Sequence, residues 1–157
     1  MAYNFMPAND APSAKLATAY VTIDNRRIAM LHAKSFEANF NVETTEVPVL
    51  GRMIKGRKAT GGSIKFDMVV YKVSEDFDAL VEQYKKTGVM PTFDIQVTSE
   101  DPATVMGRST KIYTDCIIDG DVLLSKFDTD GDFVEQSISG YAMDFTSPEK
   151  YTAPSYM

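Results

Sequence analysis

The sequence is poor in the residues on which most catalytic and metal sites depend. Its 157 residues include one cysteine, one histidine and no tryptophan. A single cysteine, Cys116, excludes an internal disulfide and a zinc site built from several cysteines. A single histidine, His32, leaves little material for histidine-based catalysis or a histidine-rich metal site. We therefore expect no cofactor, no metal ion and no enzyme activity.

The sequence also lacks long apolar runs and an excess of positive charge. No stretch approaches the roughly 18 apolar residues of a membrane-spanning helix, and residues 1–7 lack the pattern of a secretory signal. The 22 acidic and 16 basic residues give a formal charge of −6. This charge argues against general affinity for nucleic acid but leaves room for a local basic patch. Hydrophobic residues make up 44% of the chain, enough for the core of one globular domain.

Polar and apolar residues alternate with a period of two over much of the chain, which indicates half-buried β-strands. The predicted strands are residues 17–23, 36–42, 64–70, 92–98, 110–118, 121–127 and 133–145, the last with a bulge or bend at Gly140. Asp24-Asn25 and Asp119-Gly120 favour tight turns between strands. Residues 128–132 are typical of a polar hairpin tip.

One helix is predicted, near residues 75–87. Ser74 suits the N-cap and Gly88 suits the C-terminal end. Between them an apolar stripe with helical spacing is formed by Phe77, Leu80, Val81 and Tyr84. Because strands and helices do not alternate along the chain, a parallel sheet is not expected. The predicted fold is mainly β, an antiparallel domain with one helix packed on it.

The chain divides into three predicted parts. Residues 1–16 form an extended N-terminal arm, residues 17–146 a single β-domain, and residues 147–157 a C-terminal arm. Tyr151, Tyr156 and Met157 are side chains through which the C-terminal arm could dock.

A basic, glycine-rich segment, residues 51–62, interrupts the alternation. Its cations are Arg52, Lys55, Arg57 and Lys58, and it contains no acid. Because it lies between two predicted strands, we expect a long loop or extended hairpin that projects from the sheet. Its spacing is close to that of a Walker A loop, but the lysine, the hydroxyl residue and the following helix are missing. Binding of a phosphate or a nucleic-acid backbone stays open, and the simpler hypothesis is a protein–protein loop.

Acidic residues are concentrated later in the chain. Between residues 115 and 144, where Lys126 is the only base, they are Asp115, Asp119, Asp121, Asp128, Asp130, Asp132, Glu135 and Asp144. A basic projection and an acidic far region suit head-to-tail association, in which the 51–62 cations meet acids of a neighbouring copy. The aspartates of residues 128–132 do not have the spacing of a calcium loop, so a solvated turn is the preferred interpretation.

The lone histidine and cysteine have structural interpretations. His32 lies between predicted strands and is expected to be structural or at the surface. Cys116 falls on the same strand face as Ile112 and Ile118, which predicts a buried, inert thiol.

Several strands are apolar on both faces. Val69 and Tyr71 oppose Met68 and Val70, and Ile117 opposes its two neighbours. Apolar surface left on the second face requires a partner, which predicts an oligomer.

Several short segments occur in a characteristic order and spacing. They are Phe-Glu-Ala-Asn at 36–39, Gly-Arg-x-x-x-Gly-x-Lys-x-Thr-Gly at 51–61, and residues 23–29, 71–74, 84–86, 93–96 and 144–150. In this order, from about Ile23 to Tyr151, the chain resembles the tail tube proteins of contractile-tailed phages and phage-derived particles. The form that it resembles is the one carried by defective prophages of Gram-positive bacteria.

The resemblance implies a β-sandwich or barrel-like domain with one flanking helix. It further implies hexameric rings stacked into a tube with a β-lined channel, inside a contractile sheath. The implied partners are further copies of the chain and the tail sheath, baseplate or initiator, and tape-measure proteins, with DNA only as transient cargo in a phage. The implied location is a virion tail or a phage-tail-like particle, including bacteriocins, assembled in the host cytoplasm. Two alternatives stay open: the tube of a related contractile secretion system, and a nucleic-acid- or carbohydrate-binding β module.

Overall fold

The computed structural model describes residues 6–154, which contain eight β-strands and one α-helix. The strands are β1 (Ala17–Ile23), β2 (Arg26–Ala29), β3 (Ala33–Val47), β4 (Gly56–Tyr71), β5 (Phe93–Glu100), β6 (Arg108–Ile118), β7 (Glu135–Ala142) and β8 (Asp144–Glu149). Helix α1 covers Asp76–Thr87, and a short 3-10 turn at Ala8–Asp10 precedes β1. No helix within residues 6–154 is long and apolar enough to cross a membrane.

The strands pair antiparallel and form two sheets that share β6. Sheet A has the order β2-β1-β5-β6-β8. Sheet B has the order β3-β4-β7 and joins the end of β6 through Ile117 and Ile118. Asp24 and Asn25, with φ of 51° and 62°, form the predicted tight turn between β1 and β2, in the left-handed conformation of a two-residue hairpin.

One hydrophobic core lies between the two sheets and the helix. Phe66 of β4 meets Phe93 of β5 edge to face, with ring centroids 6.0 Å apart. Phe77 of α1 meets Phe93 at the same separation. Other core side chains from both sheets and from α1 are Val21, Ile95, Tyr113, Cys116, Met68, Val70, Ile138 and Leu80. The prediction of a mainly β antiparallel fold with one packed helix is therefore confirmed.

Helix α1 begins later than the sequence predicts. Its N-cap is Glu75, without a side-chain capping bond, so the prediction of Ser74 as N-cap is wrong. The first turn is instead anchored by Lys72, whose Nζ lies 3.0 Å from Asp78 Oδ1 in a largely buried ion pair. At the other end Gly88, with φ of 76°, closes the helix as predicted.

The predicted strand at residues 121–127 is absent from the fold. Strand β6 ends at Ile118, and residues 119–134 form a loop, which we call the acidic loop. The chain changes course at Gly120, whose φ of 124° is open only to glycine. Asp119-Gly120 is therefore not a turn between two strands, and residues 128–132 are not a hairpin tip. A turn does occur within the loop, closed by the Gly131 N–H donating to the Asp128 carbonyl at 3.2 Å.

The predicted bulge at Gly140 is also wrong. Strand β7 passes through Gly140 in regular register with β4, where Phe66 is its partner. Glycine is required because a Cβ atom at this position would clash with the carbonyl oxygen of Ile117. The interruption occurs later, at Met143, which separates β7 from β8.

Strand β6 contains an irregularity that the alternation did not reveal. Asp115 has a φ of 51°, and the register between β5 and β6 shifts next to it. Tyr113 and Cys116, three residues apart, consequently both face the core. The prediction that Ile112 shares a face with Cys116 is therefore wrong, whereas Ile118 packs against the core as expected.

Both terminal segments contact the domain where the structure describes them. The Ser13 N–H donates to Asp101 Oδ2 at 3.0 Å, and the Tyr151 hydroxyl donates to Ser99 Oγ at 2.9 Å. Tyr156 and Met157 lie outside the described residues. The division of the chain into arms and domain stays a prediction.

Candidate functional site

A long hairpin formed by β3 and β4 extends beyond the core. The two strands stay paired from Ala33 opposite Val70 to Val47 opposite Gly56. Their inner parts pack on the core, but every residue from 41 to 62 is exposed. We call residues 41–62 the projecting hairpin. Of the two predicted forms of this segment, loop or extended hairpin, the structure contains the extended hairpin.

The structure brings the four predicted cations together on the projecting hairpin, but in two different settings. Lys55 Nζ lies 3.8 Å from Glu46 Oε2 and Arg57 Nη1 lies 3.4 Å from Glu46 Oε1, so one carboxylate faces both cations. Arg52 and Lys58 have no carboxylate within 4 Å among residues 6–154. The hairpin therefore presents two paired and two uncompensated cations.

Glu46 is the residue of this site that sequence analysis missed. It lies outside the 51–62 segment, and only the pairing of Glu46 with Arg57 across β3 and β4 reveals it. Arg57 is further held by Thr44, whose Oγ1 accepts from Arg57 Nε at 2.9 Å. The signal that could have found Glu46 is the cross-strand register, because opposite charges on facing positions attract.

The projecting hairpin also exposes apolar side chains. Leu50 and Met53 at its tip are exposed over essentially their whole surface, 104% and 98%. Others along its length are Val42, Val47, Val49 and Ile54. An apolar patch of this kind next to cations marks an interaction surface.

The acidic loop is exposed at the far end of sheet B. Its exposed aspartates are Asp119, Asp121, Asp128, Asp130 and Asp132, and exposed Leu124, Phe127 and Phe133 lie among them. Asp128 Oδ1 accepts from the Asp130 N–H at 3.0 Å, a local turn bond. Glu135, beyond the loop, pairs with Lys34 at 3.0 Å. Within the described residues no group of three or more His, Cys, Asp or Glu side chains is arranged to hold a metal.

The outer face of sheet B is polar. Its exposed side chains carry both charge signs and several amides and hydroxyls: Glu37, Asn39, Asn41, Lys65, Asp67 and Ser137. The apolar residues predicted for this face are partly covered, since Tyr71 packs on Phe133 with ring centroids 6.2 Å apart. Ile117 and its cross-strand partner Tyr141 remain 38% and 37% exposed. This face is thus mainly polar, with opposite charges interspersed.

His32 and Cys116 have the structural positions that the sequence predicts. His32 lies in the turn between β2 and β3, and its carbonyl accepts from the Tyr71 N–H at 3.1 Å. Cys116 is fully buried in the core. Burial, with a smaller contribution from the nearby Asp94 carboxylate, raises the pKa of the Cys116 thiol to about 12.

We expect Cys116 to be unreactive in the native protein. The thiolate is the reactive form of cysteine, and near neutral pH a thiol with this raised pKa is almost entirely protonated. Ellman's reagent should therefore give no absorbance change in native buffer and one thiol per chain in denaturant. Rapid labelling in native buffer would contradict a buried thiol.

Comparison with known proteins identifies the family. The family model described as "Phage tail tube protein" matches residues 4–149. The chain is 33% identical over 121 residues to the phage-like element PBSX protein XkdM of Bacillus subtilis (strain 168), covering 77% of this chain and 82% of that protein.

Two solved structures share the fold. A chain from the sheath–tube complex of an extracellular contractile injection system, PVC, in the extended state superposes with a TM-score of 0.60 at 13% identity. The superposition covers 92% of this chain and 91% of the injection-system chain. A chain from the six-fold symmetrised baseplate of the anti-feeding prophage has a TM-score of 0.58 at 7% identity, covering 94% and 97%. The resemblance found in the sequence is confirmed: this chain belongs to the phage tail tube protein family.

Proposed function

We propose that copies of this tail tube protein assemble into six-membered rings that stack as the inner tube of a contractile tail or phage-tail-like particle. The observation that carries this proposal is the projecting hairpin, which is exposed on both faces and displays apolar tips. A two-stranded ribbon of this kind is marginally stable alone in water. The exposed hairpin is explained if a neighbouring copy packs against it in the assembly.

The hairpin is long enough to reach a neighbouring copy. Residues 41–47 of β3 lie beyond the core, and at roughly 3.3 Å per residue they extend about 20 Å from it. We infer that Arg52 and Lys58 meet exposed aspartates of the next copy, such as those of the acidic loop. Lys55 and Arg57 serve the hairpin itself, because both already lie within 4 Å of the Glu46 carboxylate. The apolar tip would be buried in the same contact.

The polar outer face of sheet B is the surface proposed to line the channel. Its mixed charges and the formal charge of −6 offer no continuous cationic track to a phosphate backbone. DNA would then pass as transient cargo without adhering. Six copies per ring are supported by the likeness to a chain of a six-fold symmetrised particle.

The proposed partners follow from this position in a particle. They are a tail sheath around the tube, a baseplate or initiator at one end and a tape-measure protein within, and the proposed location is a virion tail or bacteriocin-like particle built in the host cytoplasm. A second candidate is the tube of a related contractile injection system. The shared fold with a chain of the PVC sheath–tube complex favours it.

Electron microscopy of the purified protein tests the assembly. We expect negative-stain images over a concentration series to show rings or hollow tubes, with light scattering rising over the same range because tip and loop contacts become saturated. A protein that stays monomeric throughout and is retained on heparin or DNA at moderate salt would contradict the proposal. That result would favour the binding-module alternative.

A further inference from the structure

Residues 121–127 have the sequence pattern of a strand but lie in the acidic loop without strand pairing. Just before them, β6 pairs with β7 through Ile117 opposite Tyr141 and Ile118 opposite Gly140. The Asp119 N–H continues this ladder by donating to the Ser139 carbonyl at 2.9 Å. The ladder then stops at Gly120, where φ is 124°. In the same register, an extended chain would place Asp121 opposite Ser137 and Leu123 opposite Glu135.

The edge of β7 is open where this ladder would continue. A groove of about 500 Å³ separates residues 121–126 from residues 135–137. Gln136 lies beside it, 4% exposed, and its Oε1 has no hydrogen-bond donor within residues 6–154. Burial of an amide oxygen without a hydrogen-bond donor costs free energy, because the oxygen loses its hydrogen bonds to water. In the loop conformation this buried oxygen beside the β7 edge has no donor within residues 6–154.

A side chain holds the segment in its loop conformation. The Lys72 ammonium donates to the Leu123 carbonyl at 2.7 Å while paired with the buried Asp78. That carbonyl is one of the acceptors that an extended β6–β7 ladder would direct toward β7. The bond to Lys72 and the turn at Gly120 together keep residues 121–127 out of the sheet.

The opposite edge of sheet B offers a matching strand. Among the described residues β3 pairs only with β4, so its other edge is free. Phe40 and Val42 on that edge are 54% and 56% exposed, and Leu124 on the segment is 59% exposed. By their positions in the strand alternation, all three side chains would lie on the face of the sheet that faces the core. Cross-strand pairing of these apolar groups would cover both edges.

The direction of the strands fits a ring. Strands β3 and β7 are each antiparallel to β4 and are thus parallel to each other, whereas residues 121–127 would continue β6, antiparallel to β7. A rotation about a ring axis preserves strand direction along the axis. The β3 strand of an adjacent copy therefore arrives antiparallel to residues 121–127.

We propose that residues 121–127 are a latent β-strand that forms when β3 of an adjacent copy pairs with it, closing sheet B from one subunit to the next. The inference rests on the ring assembly proposed above. The partner is a second copy of this chain, and Gly120 is the hinge at which the backbone becomes extended. Ring closure then supplies the backbone pairing that the isolated subunit lacks.

Hydrogen exchange measured by mass spectrometry tests this directly on the full chain. Backbone amides of residues 121–127 should exchange at least tenfold more slowly in tubes than in the unassembled subunit. Tubes in which these amides exchange as fast as in the subunit would overturn the latent strand while leaving the tube function intact. Wild-type protein that forms neither rings nor tubes would overturn the ring proposal and the latent strand with it.

A pair of proline variants gives an independent measurement. Leu124→Pro removes an N–H that the latent strand would direct toward β3 of the adjacent copy, and it should abolish ring and tube formation. The Leu124 N–H donates to no backbone carbonyl within residues 6–154, so the urea midpoint of the subunit should not change. Thr129→Pro is the matched control in the same loop, because Thr129 is the second residue of the turn closed by Gly131, where proline is favoured. It should assemble like the wild type. Normal tubes from Leu124→Pro would overturn the proposal.

Discussion

A subunit that carries both Arg52→Glu and Lys58→Glu will fold normally and form no tubes. Neither cation has a carboxylate partner within residues 6–154, so the subunit loses no internal ion pair. Its free energy of unfolding should stay within about 0.5 kcal/mol of the wild type. In the assembly each new glutamate would face aspartates of the next copy, and like charges at an interface cost several kcal/mol. Light scattering and electron microscopy measure the loss.

The matched control moves the same charge change elsewhere. Lys86→Glu with Lys150→Glu alters the net charge equally at two other exposed positions and should leave tube formation intact. Reversal of Arg57 is a poorer test, since Arg57 is bonded to Thr44 and Glu46 within the hairpin. If the Arg52 and Lys58 variant forms tubes of normal length and yield, the hairpin cations do not mediate assembly.

Gly140→Ala will lower the free energy of unfolding of the subunit by about 4 kcal/mol or more. Losses of this magnitude are typical of severe steric clashes in well-packed regions. The added Cβ would overlap the Ile117 carbonyl oxygen and approach the Phe66 ring to 3.0 Å. The carbonyl belongs to a paired strand and cannot rotate away as a side-chain end would. Relief would require β6 and β7 to separate where the two sheets join. Urea denaturation followed by circular dichroism measures the change.

Gly56→Ala is the control for a glycine without this constraint. No heavy atom lies within 4 Å of a Cβ built on Gly56, so its stability should change by less than about 1 kcal/mol. Equal stability of Gly140→Ala and the wild type would show that β6 and β7 can move apart without cost.

The fold was largely predictable from alternation, because β1, β5 and the inner part of β4 each bury one face more deeply than the other. The same rule failed where tertiary contacts override it. The apolar side chains of residues 121–127 favoured a strand, yet the Lys72 ammonium holds the Leu123 carbonyl and the segment remains a loop beside β7. The irregularity at Asp115 places Ile112 on a different strand face from Cys116, although strict alternation predicts the same face. A single residue with positive φ cannot be recognised from the amino-acid composition.

The candidate site was half predictable. Charge and glycine content identified Arg52, Lys55, Arg57 and Lys58 as a projecting basic group. They did not reveal that Glu46 pairs with two of the four, because that relation depends on the β3–β4 register and not on sequence distance. Gly140 was predicted to mark a bulge, because glycine often interrupts strands. In the structure it instead allows the β7 backbone to approach the Ile117 carbonyl of β6.

The topology of sheet A sets the order in which the subunit can fold. Strand β1 pairs with β5, Ala17 opposite Ser99, whereas β3 and β4 are neighbours along the chain. On the ribosome the β3–β4 ribbon can form early, but β1 waits until its distant partner has emerged, and such non-local pairings are slow. Strand β8, made last, then completes the edge of β6. Incomplete chains therefore leave this edge of β6 exposed, and the subunit has its full set of strands only when synthesis is nearly finished.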